Sequence, residues 1–449
     1  MSNRKIITVW GGVSILAGIM IGSGIFFLGF QILDRSYQSL PLSILAWIVG
    51  GFITLFSGLT YAELGTLFPE NGGYYVYLKK AYGHRVAFLS GFMNLLLSSS
   101  GSIALLAILF GQVMSNIFPA LGSWVSLIAV FVIALLTVFN YFGLKFGTII
   151  QMIFMVAKLI PIIMIIVMGL IVGRQSFVMT SLLSGKSFFE ILVAIGFAVV
   201  GTLWAYEGWT NLNVLVGHMK DPNKDLPKSL AMSTIGVMIV YVLFIIAMYR
   251  VVAYADLLSA FNGWFIFNAA YALFGNVGQL IIMVSVAISV FGALNGSILV
   301  FPRVYQKMAE DGLFFKAIAK EHPKYHTPVL ALMLSAVFAG LLVLIEFLFA
   351  SISIESLLTF VVFAGLIFNT LILISLFKFR KTHPIDQHPR YLVWGYPYVP
   401  IIAILGLIML LVATLIQSLL PSLIGVGVLV IGYLVYMIIE RNKQNNPSD

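Results

Sequence analysis

The chain has 449 residues, of which 61% are hydrophobic and only 9% are charged, and its mean hydropathy is +1.06. This composition excludes a soluble globular domain and predicts a polytopic membrane protein. Cysteine is absent, so disulfide bonds, thiolate metal sites and thiol catalysis are excluded. The formal net charge of +9 could indicate a nucleic-acid partner, and the positions of the charges decide whether it does.

Apolar runs of about 20 residues mark the segments that could cross a bilayer as helices. Twelve such runs are predicted, near residues 8–32, 40–66, 86–116, 124–142, 147–173, 188–217, 228–252, 277–305, 327–349, 354–378, 397–417 and 421–439. An even number of spans places both chain ends on the same side of the membrane. The first run lacks a small-residue cleavage site and eleven more follow it, so it is interpreted as a span and not as a signal peptide.

The lysine and arginine residues are distributed unequally between the two predicted sides. Of the 25, 20 fall on the side of the chain ends, four fall on the other side, and Lys158 lies inside a span. Because basic loops stay in the cytoplasm, both termini are predicted to be cytoplasmic, in a multi-pass protein of the cell membrane. The basic surplus then reflects topology and attraction to anionic lipid, and no nucleic-acid partner is expected.

The first predicted span contains the sequence Ile21-Gly22-Ser23-Gly24-Ile25 in its middle. Glycine is a poor helix former, and backbone groups released at membrane depth need protein or water around them. An unwound stretch here would point the N-terminus of a half-helix at an anionic group. Close helix packing through small residues is the alternative.

The sixth predicted span is interrupted in the same way, by the sequence Trp204-Ala205-Tyr206-Glu207-Gly208-Trp209. A carboxylate among bulky aromatics at mid-span contradicts the usual insertion preferences. Each interruption is followed by a polar, proline-bearing connector and an uninterrupted span. Corresponding breaks at the start of two five-span halves predict an inverted repeat with a binding site at its interface. This correspondence favours a site over packing at the first break.

The predicted fold is therefore an all-α polytopic membrane protein with 12 transmembrane helices and discontinuous helices 1 and 6. We expect a LeuT-like 5+5 inverted repeat. Residues 1–175 would form the first repeat and residues 176–380 the second. Residues 381–449 would hold two peripheral spans and a cytoplasmic tail.

Two charged residues and two segments carry further expectations. Lys158 is a buried ammonium that must face partners inside the bundle, which favours a functional or site-bracing role over snorkelling. Glu63, near the end of the second span, is expected to form a structural hydrogen bond or salt bridge.

Residues 73–83 combine aromatics with two lysines and are expected to lie in the cytoplasmic membrane interface. Residues 253–275 are expected to form an external segment that does not cross.

These motifs together resemble the amino acid–polyamine–organocation superfamily, and within it the L-type amino acid transporter family. The matching segments are IGSGIF (21–26), PENGGYYVY (69–77), AKLIP (157–161), WAYEGW (204–209), MKDPNKDLP (219–227) and VFGALNGSILVFPRVYQKMAEDG (290–312). They occur in the family's order over nearly the whole chain. The overall sequence looks closest to bacterial serine/threonine-type exchangers.

The resemblance implies a substrate site. The exposed backbone of the first break would bind the substrate carboxylate, carbonyls around Trp204 and Ala205 would accept from its ammonium, and Trp204 would take the gating position that is usually phenylalanine. The implied substrate-binding residues are Ile21, Gly22, Ser23, Gly24, Ile25, Trp204, Ala205, Tyr206, Glu207 and Tyr241.

The resemblance also implies a role for the buried lysine. Lys158 matches the position where sodium-dependent relatives hold a sodium ion, and it would bridge the first span near Gly18 to the eighth near Ser289. A fixed ammonium in a cation site makes sodium coupling unfavourable. Sodium-independent exchange or proton-linked uptake is therefore expected.

The expected function is exchange of small neutral L-amino acids such as alanine, serine or threonine, because tryptophan at position 204 leaves a small pocket. In the family, many neutral-substrate relatives carry a small residue at the position of Glu207, while some carry an aspartate, including ones that accept basic amino acids. Glu207 therefore opens an alternative, transport of cationic amino acids or polyamines, unless it only hydrogen-bonds within the bundle. His218 stands where the family usually has a glutamate, so a cytoplasmic gate charge is either missing or pH-dependent.

Other classes of function find little support. The six histidines lie in loops or at span ends and no HExxH motif occurs, so an intramembrane metalloenzyme is not expected. A channel would need a ring of charged or carbonyl-rich residues, and no Walker A motif is present. The expected protein is not an enzyme, uses no cofactor or metal, and has no disulfide-linked partner; a monomer is plausible.

Overall fold

The structure is a computed structural model of the chain. It describes residues 5–22, 24–174, 185–251, 265–348, 354–384, 386, 388, 390–417 and 419–445. Across these ranges the chain is built of helices, and the strand-type pairing found there is an isolated bridge between Ile7 and Met219. The prediction of an all-α protein is confirmed for this part of the chain.

The α-helices follow one another with short connections. They are α1 (Val9–Met20), α2 (Gly24–Arg35), α3 (Leu40–Leu67), α4 (Tyr74–Tyr82), α5 (His84–Met93), α6 (Ser99–Ile117), α7 (Val125–Tyr141), α8 (Leu144–Val172), α9 (Phe188–Ala205), α10 (Pro222–Val251), α11 (Phe265–Val300), α12 (Pro302–Glu310), α13 (Val329–Leu348), α14 (Ile354–Thr382), α15 (Tyr398–Gln417) and α16 (Leu419–Asn445). A π-helix joins α5 to α6 (Asn94–Ser98), and 3₁₀-helices occupy Pro119–Trp124, Asn211–His218 and Lys316–Ala319.

Ten helical segments of the described chain are long and apolar enough to cross a membrane. The first predicted span is not one of them, because it is divided into α1 and α2, each of 12 residues. The predicted span 354–378 lies within α14 and is not among the ten. The chain is thus a polytopic membrane protein, whereas the total of twelve spans, the inverted repeat and its boundaries stay predictions.

Two predicted segments differ from the structure in their extent. The sixth predicted span, near 188–217, ends as an α-helix at Ala205 and continues as a turn and a 3₁₀-helix. Part of the external segment expected at 253–275 lies outside the described residues. Its described part, from Phe265, is helical, and Gly275 (φ 63°, ψ −152°) interrupts α11 before the rest of that helix.

The interfacial position expected for residues 73–83 stays a prediction, but the structure shows that most of helix α4 packs inside the protein. Tyr75, Val76, Tyr77 and Leu78 are at most 2% exposed, whereas Lys80 is exposed. The tyrosine hydroxyls have polar partners inside the protein. Tyr75 donates to Asp311 (2.9 Å), and Tyr77 is in hydrogen-bond contact with another buried side chain.

The structural role predicted for Glu63 is confirmed. Its buried carboxylate accepts hydrogen bonds from Nε (2.8 Å) and Nη2 (2.6 Å) of Arg380 on α14. It also accepts from the backbone N–H of Val393 (2.9 Å), just before α15, and Arg390 lies 3.4 Å away. A bidentate guanidinium–carboxylate pair of this kind holds a defined orientation and is stronger than a single hydrogen bond. Here it joins α3, α14 and the segment before α15.

One end of the helical bundle comprises residues 5–8, 68–73, 142–145, 218–222 and 301–328, and we call it the basic end. These segments hold eight of the 25 lysines and arginines. Ionic contacts cross it: the carboxylate of Glu70 lies 3.0 Å from Lys80 and 3.6 Å from Lys307. Burial alone would raise the pKa of Glu70, but these two ammonium groups hold that pKa below its ordinary value. The loop before α4 is thereby linked to α12.

Candidate functional site

The first predicted break is present in the structure. Helix α1 ends at Met20, Ile21 has non-helical dihedrals (φ −77°, ψ 71°), and α2 begins at Gly24. Gly22 donates its N–H back to Met20 O (2.8 Å), and Ser23 lies outside the described residues. Consecutive Gly, Ser and Gly make this interruption because they favour the helix least at the point where it stops.

The second break has a different local cause. Helix α9 ends at Ala205, and Gly208 lies in the left-handed region with φ +115°. A Cβ at Gly208 would approach to 2.7 Å of Ile19 Cγ2 on α1. Glycine is therefore needed at position 208 both for the backbone conformation and for close contact with the first broken helix.

The two breaks lie against each other. A Cβ built on Gly24 would lie 2.9 Å from Ala205 Cα, so the backbones of α2 and α9 are in near contact. The hydroxyl of Tyr241, on α10, lies 2.6 Å from Met20 O and 3.0 Å from Ala205 O. One buried hydroxyl thus faces the ends of both interrupted helices, and Gly24 and Ala205, 181 positions apart in the chain, meet there.

Lys158 on α8 braces the first break from the side. Its side chain is fully buried, and Nζ donates to Gly18 O (2.7 Å), Ile21 O (2.6 Å) and Ser289 O (3.0 Å). The hydroxyl of Ser289 also donates to Ile21 O (2.9 Å). An ammonium has three N–H donors, and the carbonyl end of α1 carries negative partial charge. The geometry therefore satisfies this buried cation without a carboxylate.

A buried amide chain extends this bracing toward the basic end. Asn140 donates to Asn295 Oδ1 (2.9 Å), and Asn295 donates to Gln151 Oε1 (2.8 Å). Gln151 lies on α8, two turns before Lys158, and a Cβ on Gly18 would come within 2.3 Å of its Nε2. Sequence reasoning missed Asn140 and Gln151, because isolated amides in apolar helices give no periodic signal.

A cavity of about 140 Å³ opens beside the two breaks and extends toward the basic end. Its polar or backbone-exposing lining residues are Gly22, Gly24, Tyr74, Ser90, Asn94, Ser98, Ser102, Glu207, Gly208, Thr210, Asn211, Ser297 and Asn369. The apolar lining includes Trp204, Met93, Leu105, Leu106, Phe301 and Phe368. A largely apolar concavity with a few convergent polar groups is typical of a small-molecule site.

One wall of the cavity carries polar side chains that were not predicted. Ser90, Asn94, Ser98 and Ser102 all line it and recur every four residues along α5, the π-helix and α6. Residues four apart share a helix face, and π-helical turns are frequent at functional sites. The four-residue spacing was the available signal. It was missed because serine is also common in helix packing within membranes.

The predicted site residues divide into two groups. Gly22, Gly24, Trp204, Ala205 and Glu207 line the cavity. The others stand behind this lining: Ile21, Ile25, Tyr206 and Tyr241 are at most 1% exposed, and Gly18, Lys158 and Ser289 form the brace.

The backbone groups of the breaks differ in what they can still bind. Ile21 O is engaged by Lys158 and Ser289, and Ala205 O faces the hydroxyl of Tyr241. The first N–H groups of α2, from Gly24 onward, have no partner four residues back in a helix. Donors are therefore available on the α2 side, together with the partial positive charge of a helix N-terminus.

Glu207 brings a carboxylate to the cavity wall. Its side chain is accessible from the cavity, and no lysine or arginine of the described chain lies within ion-pair distance of it. Because unpaired carboxylates inside a membrane protein are costly, this residue is available to a ligand or to water in the cavity.

The sequence profile of the family described as amino acid permease matches residues 7–439. The chain is 32% identical over 442 residues to the serine/threonine exchanger SteT of Bacillus subtilis (strain 168), which covers 98% of each chain. It is 27% identical over 427 residues to the b(0,+)-type amino acid transporter 1 of Mus musculus, covering 93% of this chain and 84% of the relative.

A third relative is the large neutral amino acids transporter small subunit 2 of Homo sapiens, 32% identical over 347 residues, or 74% of this chain and 63% of the relative. These relatives are transporters and not enzymes. Together with the family profile, which spans nearly all residues including both breaks, the lysine brace and the cavity, they assign the chain. It belongs to the amino acid permease family.

Proposed function

We propose that this permease is a sodium-independent exchanger of small neutral L-amino acids, such as alanine, serine and threonine, and that it works by alternating access. The observation that carries the proposal is the meeting of two helix breaks at one polar-lined cavity. Broken helices at the centre of a transporter expose helix ends and free backbone groups to substrate. The serine/threonine exchanger among its relatives supports the substrate class.

The substrate carboxylate would bind the first N–H groups of α2, beginning at Gly24. The substrate ammonium would bind near the carboxyl end of α9, around Trp204 and Ala205. An amino-acid zwitterion carries its ammonium and carboxylate groups on the same α-carbon, and two nearby helix ends of opposite partial charge suit it. The near contact of Gly24 with Ala205 supports this arrangement, since it brings the two helix ends within reach of one small molecule.

Sodium independence rests on Lys158. Three carbonyls of the kind that coordinate sodium already accept from its ammonium group. A metal cation there would have to displace a fixed positive charge, which is electrostatically unfavourable. The coupling would then come from exchange of one amino acid for another; proton coupling is the competing mode.

Selectivity for small hydroxylated substrates would come from the cavity walls. Trp204 lines one side, and the hydroxyls of Ser90 on α5 and Ser102 on α6 line the other. A site built to bond a substrate hydroxyl rejects analogues that lack it more strongly than an apolar pocket rejects an extra methylene.

A second candidate function is transport of cationic amino acids or polyamines, which the free carboxylate of Glu207 favours. Glu207→Gln removes the charge and keeps the shape. For a cationic substrate we expect inhibition of uptake by lysine and arginine to be lost in this variant. For a neutral substrate, the ranking of inhibitors would be unchanged.

The experiment that tests the proposal is uptake of radiolabelled serine into proteoliposomes that are either preloaded with amino acid or empty. Uptake that requires internal amino acid, ignores a sodium gradient and is inhibited by alanine, serine and threonine supports exchange. Equal uptake into empty vesicles driven by a proton gradient would contradict exchange. Inhibition mainly by lysine and arginine would show that the substrates are cationic amino acids and not small neutral ones.

We further propose that residues 1–175 and 176–380 are the two inverted repeats, that residues 381–449 are peripheral, and that both chain ends are cytoplasmic. The paired breaks and the concentration of lysine and arginine at the basic end support this topology. Labelling of single cysteines placed at the two ends of the bundle, in a chain that has none, tests the orientation.

A further inference from the structure

A second cavity, of about 420 Å³, lies at the basic end and shares no lining residue with the first. It is enclosed by the segment before α1, the loop between α3 and α4, the start of α8, α12 and the loop after α12. Its charged and titratable lining residues are Glu70, Lys145, His218, Arg303, Lys307, Glu310, Glu321, Lys324 and His326. None of the residues assigned to the substrate site lines this cavity.

The carboxylates of this lining are engaged within the protein. Glu70 and Glu310 both pair with Lys307, at 3.6 and 3.4 Å. Glu321 accepts a hydrogen bond from Gln306 (2.9 Å) and lies 3.9 Å from an imidazole nitrogen of the loop after α12. These carboxylates thus have partners of their own, although Glu321 still acts on the charge of Arg303 at longer range.

Three cations of the lining have no carboxylate within ion-pair distance in the described part of the chain: Lys145, Lys324 and Arg303. Arg303 is only 5% exposed, and its Nη1 donates to Leu299 O. A guanidinium has five N–H donors, and a buried charge is costly unless it is paired. An oxyanion in the cavity would supply the missing partner.

The N-terminus of α8 adds to the same field. Gly143, Leu144 and Lys145 line the cavity, the N-cap Gly143 offers no side-chain cap, and the first turn contains no acidic residue. The first N–H groups of this 29-residue helix are therefore unpaired by the helix itself, and its N-terminus carries partial positive charge. A helix N-terminus beside basic side chains binds phosphate-type anions.

The outer face of α8 identifies the source of the anion. A strip of exposed apolar side chains begins beside the cavity and runs along the helix: Phe142, Phe146, Ile149, Ile153, Val156, Ile160 and Ile163. We propose that the second cavity binds the phosphate of an anionic phospholipid whose acyl chains lie along this strip. Basic pockets between membrane helices on the cytoplasmic side are suited to such headgroups.

The test compares two variants that remove the same charge. Lys145→Gln/Lys324→Gln changes two exposed lysines of the cavity, whereas Lys316→Gln/Lys320→Gln changes two exposed lysines of the same end that do not line it. The full chain is placed in phosphatidylcholine vesicles with increasing phosphatidylglycerol, and retained lipid and melting temperature are measured. We expect the phosphatidylglycerol content that gives half-maximal retention and stabilisation to rise on the order of tenfold in the cavity variant and to change little in the control.

Each other outcome overturns the assignment. If the phosphatidylglycerol content at half-saturation is unchanged in the cavity variant, the cavity does not bind the lipid phosphate. An equal loss of phosphatidylglycerol binding in both variants would show only diffuse attraction to a charged membrane. Stabilisation by inorganic phosphate in pure phosphatidylcholine, with no added effect of phosphatidylglycerol, would show a free-anion site. These measurements need no transport, so they succeed or fail independently of the proposed function.

Discussion

Replacing Lys158 by methionine keeps an unbranched side chain as far as Cε and removes the ammonium group that braces the first break. Three hydrogen bonds from a charged donor are lost, each worth about 1.5–3 kcal/mol. Two of the acceptors keep other partners: Ile21 O retains the hydroxyl of Ser289, and Ser289 O lies within the hydrogen-bond ladder of α11. Gly18 O loses the most.

The free energy of unfolding should nevertheless change much less than this sum. Burying an ammonium group has a desolvation penalty of several kcal/mol, and Lys158→Met removes that penalty together with the bonds. The backbone conformation of Ile21 is affected more than global stability, because the hydrogen bond from Lys158 holds it in place. Losing about 1.5–3 kcal/mol of that stabilisation corresponds to roughly a ten- to hundredfold smaller population of the conformation that binds substrate. We expect a folded protein that transports at least tenfold more slowly.

The assay is serine exchange in proteoliposomes, normalised to the amount of monodisperse protein after size-exclusion chromatography. Ser289→Ala is the matched control, because it removes one neutral donor to Ile21 O and leaves the ammonium in place; its rate should fall less than tenfold. Exchange by Lys158→Met at the wild-type rate would refute the bracing role.

Three further predictions concern the break and the ionic contacts. Gly24→Val should abolish serine binding, because its Cβ meets Ala205 at 2.9 Å, whereas Gly340→Val, with open space around it, should bind serine normally. Glu63→Gln should lower stability by about 3–5 kcal/mol, seen as a lower melting temperature, because it leaves buried guanidinium groups unpaired. The lowered pKa of Glu70 means that its contribution to stability is present above its unfolded-state pKa and is lost as pH falls through the folded-state value. Glu70→Gln should therefore flatten the acid limb of the melting profile, and an unchanged limb would contradict the ionic link.

The parts of the site predicted from sequence are those where a residue type opposes its surroundings. Glycines inside an apolar run, a lysine 13 residues from the nearest other charged residue and a carboxylate among aromatics all conflict with membrane insertion. Gly24, Lys158 and Glu207 were found in this way. The structure places Gly24 and Glu207 at the cavity and Lys158 beside the first break.

The parts that were missed depend on contacts between distant segments. Serines recurring every four residues satisfy helix packing as well as a cavity wall, so Ser90 and Ser102 gave no decisive signal. The burial of α4 depends on Asp311, 236 residues beyond Tyr75, and no local pattern reveals such a partner. The interruption at residues 204–209 was predicted, but the left-handed backbone of Gly208 and its contact with Ile19 emerge only from the structure.

The measurement that tests the central claim most directly uses the absence of cysteine in this chain. Ser102→Cys places a thiol on the cavity wall, and Ser115→Cys places one on the same helix, outside the cavity and about 20 Å further along. Each variant is labelled with a maleimide with and without serine. If the cavity binds the amino acid, serine slows labelling of Ser102→Cys severalfold and leaves Ser115→Cys unaffected. Equal labelling rates with and without serine in both variants, in protein that still exchanges serine, would place the substrate site elsewhere.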